Sequence, residues 1–90
     1  MIKSFKDADA EELFRSRRAS RRLAPYAKIA LRKLDQLDVV DRIDELFVPP
    51  GNMLKKIRGD LWQIRIDGKH RVRFRWNGFD AYDVEVGDFH

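Results

Sequence analysis

Between residues 62 and 86 the chain alternates apolar and polar side chains with a period of two, a pattern that an amphipathic helix does not produce. Trp62, Ile64 and Ile66 alternate with Gln63, Arg65 and Asp67; Val72, Phe74 and Trp76 with Arg71, Arg73 and Arg75; and Tyr82, Val84 and Val86 with Ala81, Asp83 and Glu85. The runs predict three antiparallel strands, each with one buried face. Two-residue turns at Asp67-Gly68 and Asn77-Gly78 would set odd residues opposite even ones and mix charged with apolar side chains on both faces. Three-residue loops, Asp67 to Lys69 and Asn77 to Phe79, instead pair Ile64 with Val72, Trp62 with Phe74, Phe74 with Tyr82 and Val72 with Val84. That register leaves one face continuously apolar.

The cover for that face must come from the N-terminal half. The alternating start at Ile2 and Ser4 suggests a short first strand. Asp7 or Asp9 then serves as N-cap of a helix with early acids Glu11 and Glu12, and Leu13 and Phe14 face inward. Five of the eight residues from Arg15 to Arg22 are arginine. This run can complement the dipole of the helix it ends or simply stand in solvent. Pro25 fits the first turn of a second helix, in which Ala27, Ala30, Leu31, Leu34 and Leu37 form one buried stripe. Ile43, Leu46, Phe47 and Val48 anchor a connection that Pro49, Pro50, Gly51 and Asn52 force into a turned path. The expected fold is α+β, with two N-terminal helices packed on one face of a small, mainly antiparallel twisted sheet, as one domain spanning residues 1–90.

A chain of 90 residues supports a single modest core, burying only about two thirds of its unfolded surface. It has no cysteine, which excludes disulfides, thiolate metal ligands and a cysteine nucleophile and fits a reducing cytoplasm. No segment is apolar enough to be a signal peptide or to span a bilayer, so a cytoplasmic protein without membrane contact is expected. With 19 Lys and Arg against 15 Asp and Glu, a net charge of +4 and a pI near 9.7, the surface favours a polyanionic partner. The two histidines and scattered acids form no metal constellation, and no glycine-rich phosphate loop is present.

The expected register sets Arg71 opposite Glu85 and Arg73 opposite Asp83 on the open face. For Arg73 and Arg75 the preferred reading is plain exposed ion pairing, under about 1 kcal/mol each. Arg71 also faces Arg65, and two opposed guanidinium groups destabilise a sheet unless an anion such as a phosphate sits beside them. Lys55, Lys56 and Arg58 lie on the preceding segment and extend the positive surface. Strict alternation sends Asp88 and His90 into the core, so a β-bulge at Gly87 is expected to move both to the open face beside Arg71; the alternative is that the last three residues fray. His70 is taken as a strand-end residue without a role. These parts suit metal-independent RNA cleavage by attack of the 2'-hydroxyl, with His90 and Asp88 sharing the proton transfers. Arg71 and one of Lys55 or Arg58 would stabilise the charged phosphorus centre.

Met1-Ile-Lys-Ser-Phe-Lys, Val48-Pro-Pro-Gly-Asn, Arg58-Gly-Asp, Trp62-Gln-Ile-Arg-Ile, Arg71-Val-Arg-Phe-Arg-Trp and the closing Asp80-Ala-Tyr-Asp-Val-Glu-Val-Gly-Asp-Phe-His together resemble a HigB toxin of the plasmid-maintenance killer type, within the RelE/ParE toxin superfamily. The resemblance runs nearly end to end. It implies a RelE-like sheet with two N-terminal helices and a ribosome-dependent endoribonuclease acting on mRNA. It also implies a HigA-like antitoxin with a helix-turn-helix fold, through which alone operator DNA is reached. The family's functional positions fall on Arg71, Asp88, Phe89 and His90, and on Lys55 with Arg58. The catalytic set expected is therefore Arg71, Asp88 and His90, and the RNA-binding set Lys55, Lys56, Arg58, Arg65, Arg73 and Phe89, with no metal or cofactor. Members often end in Asp-Tyr-His, so Phe89 lacks the phenol; near Lys55, where some carry histidine, this chain offers lysine. Two further readings are a ParE-like toxin that inhibits DNA gyrase without cutting RNA, and a weakened toxin acting with its antitoxin in operon control.

Overall fold

Asp7 starts the first helix. In the computed structural model, which describes residues 1–89, its backbone is extended and its carboxylate accepts from the Asp9 and Ala10 N–H groups, capping α1 (Ala8–Ser16). Asp9 and Glu11 occupy the positive first turn. The helix stops at Arg17, whose left-handed φ of 62° returns its N–H to the Leu13 carbonyl. Pro25 lies in a separate 3₁₀ turn (Ala24–Tyr26) ahead of α2 (Ala27–Val39) rather than in the first turn of that helix. Along α2, Ala30, Leu34 and Leu37 are buried and Ala27 and Leu31 pack at the margin, as the spacing predicts.

The sheet has four antiparallel strands in the order β1-β2-β3-β4: β1 (Lys55–Arg58), β2 (Leu61–Arg65), β3 (His70–Asn77) and β4 (Asp80–Asp88). Alternation revealed only three of them. The fourth, β1, exposes Lys55, Lys56 and Arg58, the charged edge that discourages further strand pairing and hides the strand from a hydrophobic pattern. The expected first strand is reduced to two parallel bridges, Ile2 to Ala81 and Phe5 to Val84, which lay the N-terminus along the edge of β4.

Between β2 and β3 the register is the expected one, with Trp62 facing Phe74, Ile64 facing Val72 and Arg65 facing Arg71 around the Asp67–Lys69 loop. Between β3 and β4 it is not. Asn77 pairs with Asp80, so only Gly78 and Phe79 turn the chain, and Gly78 takes the positive φ of 67° that so tight a turn needs. The parity error is then undone by a bulge opposite Phe74, where Asp83 adopts a φ of 52°. Ala81, not Tyr82, is consequently buried near the turn, while Val84 and Val86 beyond the bulge face inward. Val72 faces Val86 instead of Val84, Arg73 faces Glu85 instead of Asp83, and Arg71 faces Gly87 instead of Glu85. The bulge expected at Gly87 is absent: the pairing runs unbroken through Gly87 to Asp88, which stays on the side of Val84 and Val86.

Leu13, Leu23, Leu34, Leu37 and Leu46 cover Ile64, Val72, Phe74, Val84 and Val86 to make the core. Of the residues expected to anchor the connection, Leu46 is buried but Phe47 and Val48 are exposed. The anchor is Asn52, fully buried: its Nδ2 donates to Gln36 Oε1 at 3.0 Å and to the Leu46 carbonyl at 3.1 Å, and its Oδ1 accepts from the Nζ of buried Lys33. Among the described residues no helix is long and apolar enough to cross a membrane.

One arginine of the basic run fastens the tail of β4. Arg22 donates from Nη2 to Asp7 Oδ2 at 2.6 Å, from Nε to Asp9 Oδ2 at 2.9 Å and from Nη1 to the Val86 carbonyl at 2.7 Å, while the Val86 N–H donates to the same Asp7 oxygen at 3.0 Å. Partial burial pushes the Asp7 carboxyl up, but the Val86 N–H and the Arg22 guanidinium outweigh it and hold the group below its ordinary range. Arg22→Ala should destabilise the protein by about 2 kcal/mol, the scale of lost hydrogen bonds to charged groups. Asp7→Ala should cost about 1 kcal/mol more, because it also removes the helix cap. Urea unfolding of both single variants and the double variant checks this: coupling near zero between the two sites would mean that the pair is not a unit.

Candidate nucleic-acid interface

Residues directly opposite each other across a sheet share a face, so the register fixes what stands on the side away from the helices. One row runs Lys55, Gln63, Arg73, Glu85, and the next runs Arg65, Arg71, Gly87. Arg75, a row further along, has the surface ion pairing expected of it, to Asp60 at 2.5 Å and Asp83 at 3.9 Å. Arg73 does not. Glu85 turns to Lys6 at 3.6 Å, while Arg73 donates from Nε to Gln63 Oε1 at 3.2 Å and lies 4.5 Å from the centre of the Phe89 ring. Arg71 curls over the β2–β3 loop, donating from Nη1 to the carbonyls of Asp67 at 2.5 Å and His70 at 3.0 Å. Arg65 makes no hydrogen bond or ion pair among the described residues. Three guanidinium groups thus share one face with no carboxylate paired to any of them among those residues. Lys55 and Arg58 are exposed beside them, and Lys56 lies 5.8 Å from the Trp62 ring centre.

Asp88 stands elsewhere. It pairs in register with His70, and by alternation it shares the side of Val84 and Val86, at the rim next to the helices. Arg71 meets Gly87 on the open face, so the expected pocket joining Asp88 to that guanidinium is not what the register builds. His90 lies outside the described residues. At the rim, the His70 ring stacks on Tyr26 with centroids 3.8 Å apart and planes 21° apart, and its Nδ1 lies 2.8 and 2.9 Å from the two Asp67 carboxylate oxygens. That hydrogen bond, with those from the Lys69 and His70 N–H groups, pulls the Asp67 carboxyl down to about 2. Burial raises the Tyr26 phenol; Arg22 opposes the rise and the carboxylates of Asp67, Asp7 and Asp88 add to it. No three His, Cys, Asp or Glu side chains among the described residues stand close enough to hold a metal ion. Two surface hollows lie at the other end of β3, around Asp41 to Glu45 and the hairpin tip at Gly78 and Phe79.

Residues 3–90 match the family model described as the RelE-like toxin of the type II toxin-antitoxin system HigB. The chain belongs to the HigB-like toxin family. It is also 32% identical, over 80 residues and 84% of each chain, to Toxin HigB-1 of Vibrio cholerae serotype O1. A toxin of this kind has an antitoxin as its partner, and the two helices on a four-stranded antiparallel sheet agree with the RelE-like architecture.

In this HigB-like toxin the rim cluster escaped the sequence reading. The signal was present as Asp67-x-x-His70 across a three-residue loop, a spacing that lets the aspartate cap the loop and reach the imidazole together. The Asp67 carboxyl, ordinarily at 3.8, falls to about 2 in the native state, so the folded protein binds this proton less readily than the unfolded chain. Its stabilisation is complete above about pH 4 and is lost as the pH falls toward 2. Urea midpoints measured from pH 5 to pH 2 should show a decline that is shallower in Asp67→Asn; parallel curves would remove the effect.

Proposed function

We propose that this toxin is a ribosome-dependent endoribonuclease that cleaves mRNA through its own 2'-hydroxyl, without a metal or cofactor. The observation that carries the reading is the open face on which Arg65, Arg71 and Arg73 lack carboxylate partners among the described residues, with the Phe89 ring against Arg73. Guanidinium groups left to neutral acceptors keep their charge for phosphates. Arg71 with Lys55 or Arg58 stabilises the crowded phosphorus centre, and Asp88 and His90 share the proton transfers. Lys55, Lys56, Arg58, Arg65 and Arg73 follow the RNA backbone, and the stacked Phe89 and Arg73 offer a flat cationic surface to a base. The antitoxin, with a HigA-like helix-turn-helix fold, neutralises the toxin and alone contacts operator DNA; the toxin works in the cytoplasm on the ribosome.

Expression without the antitoxin followed by mapping of transcript 5' ends tests this directly. Translated mRNAs should be cut, Arg71→Ala should lower cleavage by translating ribosomes about 100-fold or more, and His90→Ala should abolish growth inhibition. Intact mRNA together with inhibited gyrase supercoiling would overturn the nuclease reading in favour of a ParE-like action.

A further inference from the structure

We infer that His70, oriented by Asp67, is a catalytic residue of the cleavage reaction, accepting the proton of the attacking 2'-hydroxyl in place of the chain end, which keeps only the acid's part; the inference rests on the nuclease reading above. The geometry resembles a base held by a carboxylate. With both Asp67 oxygens within 2.9 Å of Nδ1, that nitrogen carries the ring hydrogen and Nε2 is left as the acceptor. Stacking on Tyr26 fixes the ring plane. Nε2 makes no hydrogen bond among the described residues and is not fully enclosed by them.

The imidazole is also not needed to close the loop. Asp67 Oδ1 already accepts from the backbone N–H groups of Lys69 at 3.0 Å and His70 at 2.9 Å, and those bonds alone make the turn. Position favours chemistry as well. Arg71 follows His70 at the start of β3 and points to the opposite face, but its guanidinium curls back over the end of the sheet to cap the carbonyls of Asp67 and His70, which brings a phosphate-binding cation round to the loop that holds the imidazole. The charged and titratable groups around the ring are Asp67 on its own loop, Asp88 across the strand pair on β4, and Tyr26 beneath it, with Arg22 and Asp7 acting on Tyr26 from the other side.

In the step itself the neutral Nε2 takes the 2'-hydroxyl proton as the 2'-oxygen bonds to phosphorus. The bond from phosphorus to the 5'-oxygen breaks, and that oxygen takes a proton from the acid the chain end supplies in the reading above. The products are a 2',3'-cyclic phosphate and a 5'-hydroxyl. Asp67 stabilises the imidazolium, which returns its proton to water before the next turnover.

The test is single-turnover cleavage of mRNA on programmed ribosomes as a function of pH, using full-length protein. His70→Asn keeps a donor for Asp67 and has no titrating nitrogen. It should cut about 100-fold more slowly, the usual contribution of general base catalysis, should co-sediment with ribosomes as the wild type does, and should lose one inflection of the pH–rate profile. Wild-type rate and profile in a folded His70→Asn would overturn the inference and leave the nuclease reading standing, whereas wild-type protein that cuts no mRNA would end both. If His70→Asn does not fold, Asp67→Asn decides: with the imidazole no longer held it should cut several-fold more slowly while still co-sedimenting with ribosomes, and a wild-type rate counts against His70.

Discussion

The contact on which the rest of the structure hangs is the one between Arg22, Asp7 and the backbone of Val86. It joins three stretches distant in sequence: the start of α1, the link between the helices and the last strand just before the chain end. A two-helix layer on a small sheet has few residues with which to fix its own tilt. Directional bonds from a guanidinium to both a carboxylate and a carbonyl supply an angle that apolar packing does not. Asp7 is used twice, with one oxygen capping the helix and the other shared between Arg22 and the Val86 N–H. The pleat at Val86 sets where Gly87, Asp88 and Phe89 go, so the geometry of the tail is decided by groups on the helix side of the sheet.

The opposite side follows a different rule. A surface optimised for stability would pair its arginines with acids, as Arg75 does with Asp60 and Arg17 with Asp35. On the open face the acids are diverted: Glu85 goes to Lys6, and Asp67 faces His70 and the loop backbone rather than Arg71. Arg71 and Arg73 are held by carbonyls and an amide, which fix their direction without cancelling their charge. Arg65 and Arg71 stand directly opposite each other, an arrangement that destabilises the sheet and that an anion would relieve. The same protein thus pairs its arginines with acids where they hold the fold and leaves those of the open face without a carboxylate among the described residues.

How far the sequence disclosed this depended on whether a pattern has one physical cause. The α2 stripe and the β2–β3 register were legible because burial alone dictates them. The β3–β4 register was not, since a tight turn at Gly78 and a bulge at Asp83 each shift parity by one and together leave the inward valines in place. Either change alone would have shown as charged residues in the core, but the pair is invisible to alternation. β1 was missed because edge strands are selected for charge, and the buried Asn52 because a polar residue among prolines reads as loop. At the interface, Arg65 against Arg71 was legible from the well-specified hairpin, whereas the partners of Asp88 depended on the register that failed.

Phe89 shows what that tail retains. A Cβ on Gly87 would come within 3.1 Å of the Phe89 ring, so the aromatic covers the glycine while its face receives Arg73 at 4.5 Å. Both contacts use the ring's carbon framework, and neither needs the hydroxyl of the tyrosine that the family resemblance leads one to expect. Placement and stacking therefore survive the exchange, and what is lost is a donor of hydrogen bonds or protons. Any nuclease built on this chain has to obtain proton transfer from other groups, and among the described residues the imidazole of His70, at the start of β3 and fixed by the Asp67 carboxylate and the Tyr26 ring, has the geometry for it.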